Sequence, residues 1–366
     1  MKILRVFDRY SDSGLNYFLI ERILQLNSRE FEMSVAYLDK LSGDVPAEYG
    51  GVPFYLLSEK RVRSLSLPVV FELVKLIKKE NIDILHCDNY KGIFYGVLAS
   101  LFCKNVKVMC LMHGLNRCRN WKRRMFFRIF AHKIDKFLGC SERVCDDIKK
   151  YPGVDSGKVK VLKNSVNYEK FKTASRDSAL RQSFGFDDND FVFINVGRLV
   201  ETKGLQYLLE AFENLAGKSS NAKLLIVGDG RLRADLEDKS PQGVVFAGFR
   251  KDVAQLMSVS DCFVLSSIRE GMPLVVFEAM SVGLPVVTTD TGAAEQVIGE
   301  DGQEYGFLCP VADSKALEKE MERAIKMTSD QRKELVSKAK KRIEDNFTHS
   351  VAVENLKRLY TDVYSS

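Results

Sequence analysis

The sequence predicts an α/β protein with two doubly wound domains, each built on a mainly parallel β-sheet. Apolar, β-rich runs alternate with amphipathic helical stretches along both halves of the chain. The length of 366 residues exceeds what one hydrophobic core usually holds. An acidic, loop-like stretch at 187–190 ends a segment, 172–190, that lacks this alternation. We therefore predict a first domain over residues 1–170, a second over 171–345 and a terminal segment over 346–366.

The predicted elements follow the apolar runs in chain order. In the first half the predicted strands are 2–7, 33–38, 82–87, 106–112, 136–140 and 158–162, and the predicted helices are 15–26, 67–80 and 143–150. In the second half the predicted strands are 191–196, 224–227, 244–246, 262–265, 285–288 and 306–309, and the predicted helices are 205–215, 231–237, 252–258, 274–282 and 314–327. A charged helical stretch, 331–364, ends the chain. Ligands of such sheets bind beyond the carboxyl ends of the strands.

The composition is that of a globular protein, with 45% hydrophobic and 28% charged residues. No apolar run approaches the roughly 18 residues of a membrane-spanning helix. The first seven residues indicate a strand rather than a signal peptide, so we expect a cytoplasmic protein. The eight cysteines form no Cys-x-x-Cys pair and the four histidines no His-Glu-x-x-His pattern. These absences favour buried free thiols and no metal site.

The basic residues are concentrated in the first half of the chain. Residues 1–170 carry a net charge of +11, within a total of +6 for the whole chain, and 90–134 contains no acidic residue. From Arg117 to Phe130 cations alternate with Trp121 and three phenylalanines. This pattern suits a helix on an anionic membrane surface, and equally a helix whose aromatic face is buried in the first domain. Nucleic acid is a weaker interpretation, because no recognised binding motif is present.

Two glutamates, Glu270 and Glu278, straddle a predicted loop-to-helix junction. Gly271 gives the loop backbone freedom, Pro273 suits the first helical position, and Gly283 suits the helix end. Two carboxylate acceptors beside exposed helix N–H groups suit a ligand with both hydroxyl groups and a phosphate. A sugar nucleotide is such a ligand.

A second motif, 196–204, follows a predicted strand and precedes a helix. Its two cations, Arg198 and Lys203, could converge on one diphosphate and stabilise it as it leaves the sugar. Solvated surface cations are the alternative interpretation.

A third motif, 227–230, has the sequence Val-Gly-Asp-Gly and follows another strand. We interpret it as a structural turn, since many α/β proteins turn in this way. After the next strand, Phe249 and Arg250 could flank the ring of a base.

These motifs carry a resemblance to a known family. They are Gly197-Arg-Leu with Lys203-Gly, Val227-Gly-Asp-Gly230, Glu270 with Glu278, and Gly283-Leu-Pro-Val-Val287. In order and spacing the chain resembles glycosyltransferase family 4, retaining enzymes of the GT-B fold, and in particular bacterial exopolysaccharide, capsule and lipopolysaccharide glycosyltransferases. The resemblance covers nearly the full length and is looser in the N-terminal half. It implies an N-terminal acceptor-binding and a C-terminal nucleotide-sugar-binding Rossmann-like domain facing across a cleft. It also implies that the C-terminal helix returns to the N-terminal domain.

The resemblance implies a role for each matching residue in the C-terminal half. Glu270 would bind hydroxyl groups of the transferred sugar, and Glu278 the ribose of the nucleotide. Arg198 and Lys203 would bind the diphosphate. Backbone amides would add contacts to the sugar and phosphates, and they belong to Gly271, Met272, Leu274 and Val275.

In the N-terminal half the resemblance implies two site residues. Gly14 would leave room for the diphosphate, and His113, at a strand end, would hydrogen-bond the donor sugar. The chain departs from the family pattern at Ser11-Asp-Ser before Gly14, where a glycine pair is common. It also has Met272-Pro273 where Phe-Gly is common. Because proline lacks an N–H donor, the phosphate contacts could shift by one residue.

The implied function is transfer of a hexose or N-acetylhexosamine, with retention of configuration, from a nucleoside-diphosphate sugar, above all a UDP-sugar. The implied acceptor is a lipid-linked glycan or polysaccharide in surface polysaccharide biosynthesis, reached from the inner face of the cell membrane. No metal is implied, and no cofactor beyond the donor as co-substrate. Three alternatives stay open: a GT-B sugar phosphorylase or UDP-sugar epimerase, a catalytically inactive partner subunit, and a membrane-surface binding module.

Overall fold

The computed structural model describes residues 1–10, 15–41, 45–63, 65–115, 118, 120–300 and 303–366. The chain forms two compact units. Unit 1 comprises residues 1–164 together with 349–366, and unit 2 comprises residues 165–348. The sequence placed these divisions at 170 and 345.

Unit 1 is built on an eight-stranded sheet among the described residues, in the order β3-β4-β2-β1-β5-β6-β7-β8. Every pair is parallel except β3 with β4. The strands are β1 (Lys2–Tyr10), β2 (Glu32–Lys40), β3 (Glu48–Tyr49), β4 (Val52–Leu56), β5 (Ile84–Asp88), β6 (Lys107–Met112), β7 (Lys136–Gly139) and β8 (Val159–Val161). The helices between them are α1 (Leu15–Leu26), α2 (Leu67–Glu80), α3 (Asn89–Ser100), α4 (Trp121–Phe130) and α5 (Glu142–Lys149).

Unit 2, in the part that the structure describes, is built on a six-stranded parallel sheet, in the order β11-β10-β9-β12-β13-β16. The strands are β9 (Phe191–Val196), β10 (Ala222–Val227), β11 (Val244–Gly248), β12 (Cys262–Leu265), β13 (Val286–Thr289), the small hairpin β14 (Gly299–Glu300) and β15 (Gln303–Glu304), and β16 (Phe307–Cys309). The helices are α6 (Tyr168–Lys172), α7 (Ser178–Ser183), α8 (Leu205–Ala216), α9 (Arg233–Asp238), α10 (Val253–Ser258), α11 (Leu274–Val282), α12 (Glu295–Ile298), α13 (Ser314–Ile325) and α14 (Ser329–Asn346). The strand order reverses between β9 and β12, the position at which open α/β sheets bind ligands.

Both sheets are buried on both faces, which explains their near-continuous apolar strands. In unit 2 the central strand β9 carries Phe193 into a core formed with the apolar face of α8, which includes Leu208 and Phe212. The repeat of these apolar positions along α8 is the helical one. The prediction of two parallel-sheet α/β domains is confirmed.

The last helix, α15 (His349–Ser365), belongs to unit 1. Its buried side chains, among them Leu356, Tyr360 and Val363, join a core cluster with β1 and α1. The expected return of the C-terminal helix is therefore confirmed. The charged helical stretch predicted over 331–364 consists of two helices, because α14 ends before Phe347. The ring of Phe347 stacks on Phe277 at 4.7 Å between centroids, and its carbonyl accepts from Val166 N–H.

The segment 172–190 belongs to unit 2 rather than being an open linker. It contains α7, whose Arg181 is fully buried. Nη1 of Arg181 donates to the Val259 carbonyl at 2.6 Å and to Asp261 at 3.1 Å. Such charge-assisted bonds attach the segment firmly to the sheet.

In the described ranges, no helix is both long enough and apolar enough to pass through a bilayer.

Candidate active site

The carboxyl ends of β9 and β12 carry the loops that hold most of the predicted site residues. Loop 197–204 follows β9, and loop 266–273 follows β12. The two loops are hydrogen-bonded to each other: Ile268 N–H donates to the Thr202 carbonyl at 2.9 Å, and Ser266 Oγ to the Lys203 carbonyl at 3.0 Å. The switch point of the sheet therefore has two loops fixed side by side.

Three side chains from these loops meet at one carboxylate oxygen. Nζ of Lys203 lies 2.6 Å from Oε1 of Glu270, and Ser267 donates to the same oxygen at 2.7 Å. The side chains of Lys203 and Glu270 are each less than a fifth exposed. Within the described part of the chain no group donates to Oε2 of Glu270. Because Lys203 and Ser267 orient the carboxylate through Oε1, Oε2 has a fixed position and can accept a hydrogen bond from a ligand hydroxyl.

Glycines allow these loops to pack against each other. Gly204 has φ of +61°, and a Cβ there would lie 2.3 Å from the Ser266 carbonyl oxygen. A Cβ on Gly228 would lie 1.8 Å from the Gly197 carbonyl oxygen. Only glycine fits at such close backbone approaches. This geometry agrees with the interpretation of motif 227–230 as a structural turn. The turn packs against Gly197, the residue before Arg198.

Arg198 lies on the same loop as Lys203. Its side chain is exposed and makes no ion pair with any described residue. The side chain of Lys203 passes over Gly197, where a Cβ would lie 3.4 Å from Lys203 Cε. The two cations are therefore on one loop, with Lys203 engaged by Glu270 and Arg198 open to solvent.

Helix α11 begins directly after the Glu270 loop. Pro273 is its N-cap rather than its first helical residue, a small correction to the predicted position. The N–H groups of Leu274 and Val275 therefore have no acceptor within the helix. Glu278 is half-buried in the second turn, and Gly283, with φ of +103°, ends the helix as predicted.

Two further predicted residues of this loop, Gly271 and Met272, lie between Glu270 and the helix. The Met272 side chain is buried, so its backbone is the part that a ligand can reach.

The predicted base-flanking pair follows β11, at the same edge of the sheet. Phe249 is 60% exposed, which is unusual for a large aromatic side chain. Arg250 donates to both carboxylate oxygens of Asp252, at 2.8 and 2.5 Å. This hydrogen bonding raises the pKa of Arg250 and lowers that of Asp252.

In unit 1, His113 follows β6 and lies at the carboxyl edge of that sheet. Its Nε2 lies 3.1 Å from Oδ1 of Asp88, the last residue of β5. Asp88 is fully buried and receives two hydrogen bonds from Arg5, at 2.6 and 3.1 Å. Two other predicted residues, Gly14 and Arg117, lie outside the described residues.

Sequence reasoning missed three functional candidates: Ser267, Asp88 and Arg5. A signal was present for each. Ser267 follows an apolar strand at the switch point, and Asp88 ends another strand. Arg5 interrupts an otherwise apolar run in the first strand, where a buried cation needs a partner.

Helix α4 buries an aromatic face in unit 1, as one of the two interpretations of the basic segment predicts. Phe126 and Phe127 are buried, and Phe126 packs against Phe94 at 5.2 Å between ring centroids. The opposite face exposes Trp121, Met125 and Ile129. These three residues, spaced four apart, form one stripe on the helix, which we call the α4 stripe.

Comparison with known proteins agrees with this architecture. Residues 13–170 match the family described as Glycosyltransferase Family 4, and residues 177–342 the family described as Glycosyl transferases group 1. The UDP-Gal:alpha-D-GlcNAc-diphosphoundecaprenol alpha-1,3-galactosyltransferase of Escherichia coli is 29% identical over 313 residues, 80% of this chain and 79% of that protein. The capsular polysaccharide biosynthesis glycosyltransferase CapM of Staphylococcus aureus is 26% identical over 314 residues, 80% of each chain.

Among solved structures, HepE from Anabaena in complex with UDP and glucose has a TM-score of 0.83 at 20% identity, over 99% of this chain and 100% of that one. WaaG, a glycosyltransferase involved in lipopolysaccharide biosynthesis, has a TM-score of 0.71 at 17% identity, over 96% and 98% of the two chains. The two units and their sheets therefore define a glycosyltransferase of the GT-B fold. The chain belongs to glycosyltransferase family 4, and the resemblance drawn from its motifs is confirmed.

Proposed function

We propose that this glycosyltransferase transfers a hexose or N-acetylhexosamine from a UDP-sugar, with retention of configuration, to a lipid-linked or polysaccharide acceptor in surface polysaccharide biosynthesis. The observation that carries the proposal is the contact of Lys203, Ser267 and Glu270 at the switch point of unit 2. Similarity to a galactosyltransferase that uses a diphosphoundecaprenol-linked substrate and to a capsule enzyme supports the acceptor class.

The geometry supports a division of labour within unit 2. Oε2 of Glu270 accepts from a hydroxyl of the sugar, since Lys203 and Ser267 hold the carboxylate through its other oxygen. The Lys203 ammonium has three N–H donors and gives one to Glu270, so the others can bind a phosphate oxygen. Arg198 adds a second cation, and Glu278 binds the ribose.

Charge stabilisation is the chemical contribution we assign to this site. When the bond between sugar and diphosphate breaks, negative charge develops on the leaving phosphate. Arg198 and Lys203 stabilise that charge, as do the free N–H groups at the start of α11. We propose that these groups carry the reaction without a metal ion.

A panel of sugar nucleotides tests the donor. Each nucleotide is incubated with the protein in the presence of a chelator, and nucleotide release and thermal stabilisation are measured. We expect one UDP-sugar to be hydrolysed slowly without acceptor and transferred rapidly to a lipid-diphosphate glycan. Release of a sugar phosphate, or epimerisation of the donor, would instead support the phosphorylase or epimerase alternative. Activity that requires an added divalent ion would contradict the metal-free mechanism.

We further propose peripheral contact with an anionic membrane through α4. The α4 stripe is apolar and exposed, and Lys122, Arg124 and Arg128 are exposed around it. Apolar side chains flanked by cations are typical of helices that lie in a lipid headgroup layer.

A further inference from the structure

We propose that Asp88 is a positioning residue that fixes the tautomer of His113, and that Arg5 in turn fixes Asp88. Oδ2 of Asp88 accepts from Nε and Nη2 of Arg5, whereas Oδ1 faces Nε2 of His113 at 3.1 Å. The two carboxylate oxygens therefore have separate partners. Both Asp88 and Arg5 are fully buried, and the His113 side chain is 20% exposed.

The direction of the hydrogen bond follows from the charge of Asp88. Burial alone would raise the pKa of this carboxyl, but Arg5 and the hydrogen bond with His113 hold it well below its usual range. An ionised carboxylate can only accept hydrogen bonds. Nε2 of His113 must therefore carry the proton, and in the neutral ring Nδ1 is the acceptor. No described residue provides a hydrogen-bond partner for Nδ1.

A tyrosine of the C-terminal helix contacts the strand that carries Asp88. The hydroxyl of Tyr360 on α15 lies 2.7 Å from Nδ1 of the buried His86, two residues before Asp88 on β5. Burial, followed by the nearby charge of Arg5, keeps the pKa of His86 well below its usual value, so this ring is neutral. Arg5 is thus oriented by Asp88, since its Nε and Nη2 both donate to Oδ2 of that carboxylate.

The consequence for catalysis rests on the proposed function and on the contact with the donor sugar that the family resemblance implies for His113. With Nε2 tied to Asp88, Nδ1 is the ring atom that can accept from a sugar hydroxyl. In the opposite tautomer Nδ1 would be a donor, and the same sugar hydroxyl would have to accept from the ring rather than donate to it. The tautomer itself does not depend on the proposed function.

Asp88→Asn should invert the tautomer. Arginine can only donate, so the amide oxygen of the introduced asparagine must face Arg5, and its NH₂ group must face His113. Nε2 then becomes an acceptor and the proton moves to Nδ1. The side chain keeps its shape, so the substitution changes the proton position more than the geometry, a change known to be costly in hydrolase triads.

The first measurement is the tautomer itself, in ¹⁵N-histidine-labelled protein at a pH of about 9, well above the usual histidine pKa of about 6.5. The four histidines are distinguished with His113→Gln, which lacks one set of signals. We expect the Nε2–H tautomer in the wild type and the Nδ1–H tautomer in D88N. An Nδ1–H ring in the wild type overturns the proposal, whether or not D88N folds. An unchanged tautomer in folded D88N overturns it as well.

The second measurement is turnover of the donor. D88N should lower kcat by about 10- to 100-fold, with a smaller change in KM. In the H113Q background, D88N should have no additional effect, because both changes remove one coupled interaction. If the loss of kcat in the double variant equals the product of the losses in D88N and H113Q, Asp88 acts independently of His113, and the proposal is overturned.

Asp39→Asn is the matched control. Asp39 is also fully buried at the end of a strand of the same sheet and is paired with an arginine, Arg9, but it does not contact His113. D39N should reduce stability as D88N does, while the tautomer and kcat stay as in the wild type. A loss of kcat in D39N equal to that in D88N would assign the effect to stability and overturn the positioning role. If no sugar nucleotide is turned over by the wild type, the proposed function fails, and the tautomer still decides the link between Asp88 and His113.

Discussion

Lys203 and Glu270 illustrate how one ion pair can organise a site for a ligand with two kinds of polar group. The pair joins a cation that we assign to the phosphate with an acid that we assign to the sugar. Ser267 holds the same carboxylate oxygen, so the acid is oriented before any ligand binds. Preorganised groups of this kind need no rearrangement when charge develops in the transition state.

Arg198→Ala and Lys203→Ala should each lower kcat by about 10²- to 10³-fold, because each removes a cation that stabilises the leaving phosphate. Lys203→Ala should also raise KM for the donor, since Glu270 loses the partner that orients it. Steady-state donor turnover measures both constants.

Arg231→Ala is the matched control for these two variants. Arg231 is an exposed cation near the same loop, paired with Glu201, and it should behave like the wild type. Near-normal turnover in both R198A and K203A would remove the diphosphate assignment.

At the scale of elements, the sequence predicted best where a regular pattern met a clear end signal. Helices α1, α2 and α11 begin and end where the sequence placed them. Helix α3 was missed, although its apolar run was visible. It carries Gly92 and Gly96, where a Cβ would lie 2.6 Å from the Val6 carbonyl oxygen and 2.2 Å from Cys87 Sγ. Glycines lower helix propensity, so a helix that needs them for close packing looks unlike a helix in sequence.

Prediction of the site residues from the sequence was also incomplete, for a different reason. Motif spacing gave Arg198, Lys203 and Glu270 as candidates, because each lies next to a glycine turn after an apolar strand. Asp88 and Arg5 are 83 residues apart, and only the pairing of β1 with β5 brings them together. A contact that depends on sheet order leaves no local pattern to find.

The α4 stripe gives a prediction at the scale of one helix. Arg123 is not one of the exposed cations, and its guanidinium lies 4.3 Å from the ring centroid of Tyr90. The exposed cations are Lys122, Arg124 and Arg128. Replacing these three with Gln should weaken binding to phosphatidylglycerol vesicles by about 3 kcal/mol, or on the order of a hundredfold.

Vesicle sedimentation measures this change, and a triple variant in unit 2 controls for net charge. Lys319, Lys333 and Lys341 are exposed on α13 and α14, and replacing them with Gln removes the same charge. That variant should bind vesicles as the wild type does. Equal losses in the two variants would point to net charge rather than to α4. Unchanged binding in the α4 variant would return this face to an ordinary solvated surface.

At the scale of the whole molecule, the last helix, α15, belongs to unit 1 although it follows all of unit 2 in the sequence. The core of unit 1 therefore depends on residues that follow the whole of unit 2 in the chain. Leu356 and Tyr360 of α15 are fully buried in this core, and α15 packs along α1. Unit 1 cannot complete its core until α15 has been synthesised.

Leu356→Ala should destabilise unit 1 by about 2–5 kcal/mol, because it leaves a cavity in a fully buried site. This is a large share of the roughly 5–15 kcal/mol that stabilises a typical domain. The matched control is Asn355→Ala, the exposed neighbour on the same helix, which should change stability by less than about 0.5 kcal/mol. Hydrogen exchange resolves the units: amides of β1 and β2 should exchange faster in L356A, while those of β9 and β10 keep their protection. If β9 and β10 lose protection to the same extent, the two units unfold as one cooperative body, and α15 stabilises the molecule as a whole rather than unit 1 alone.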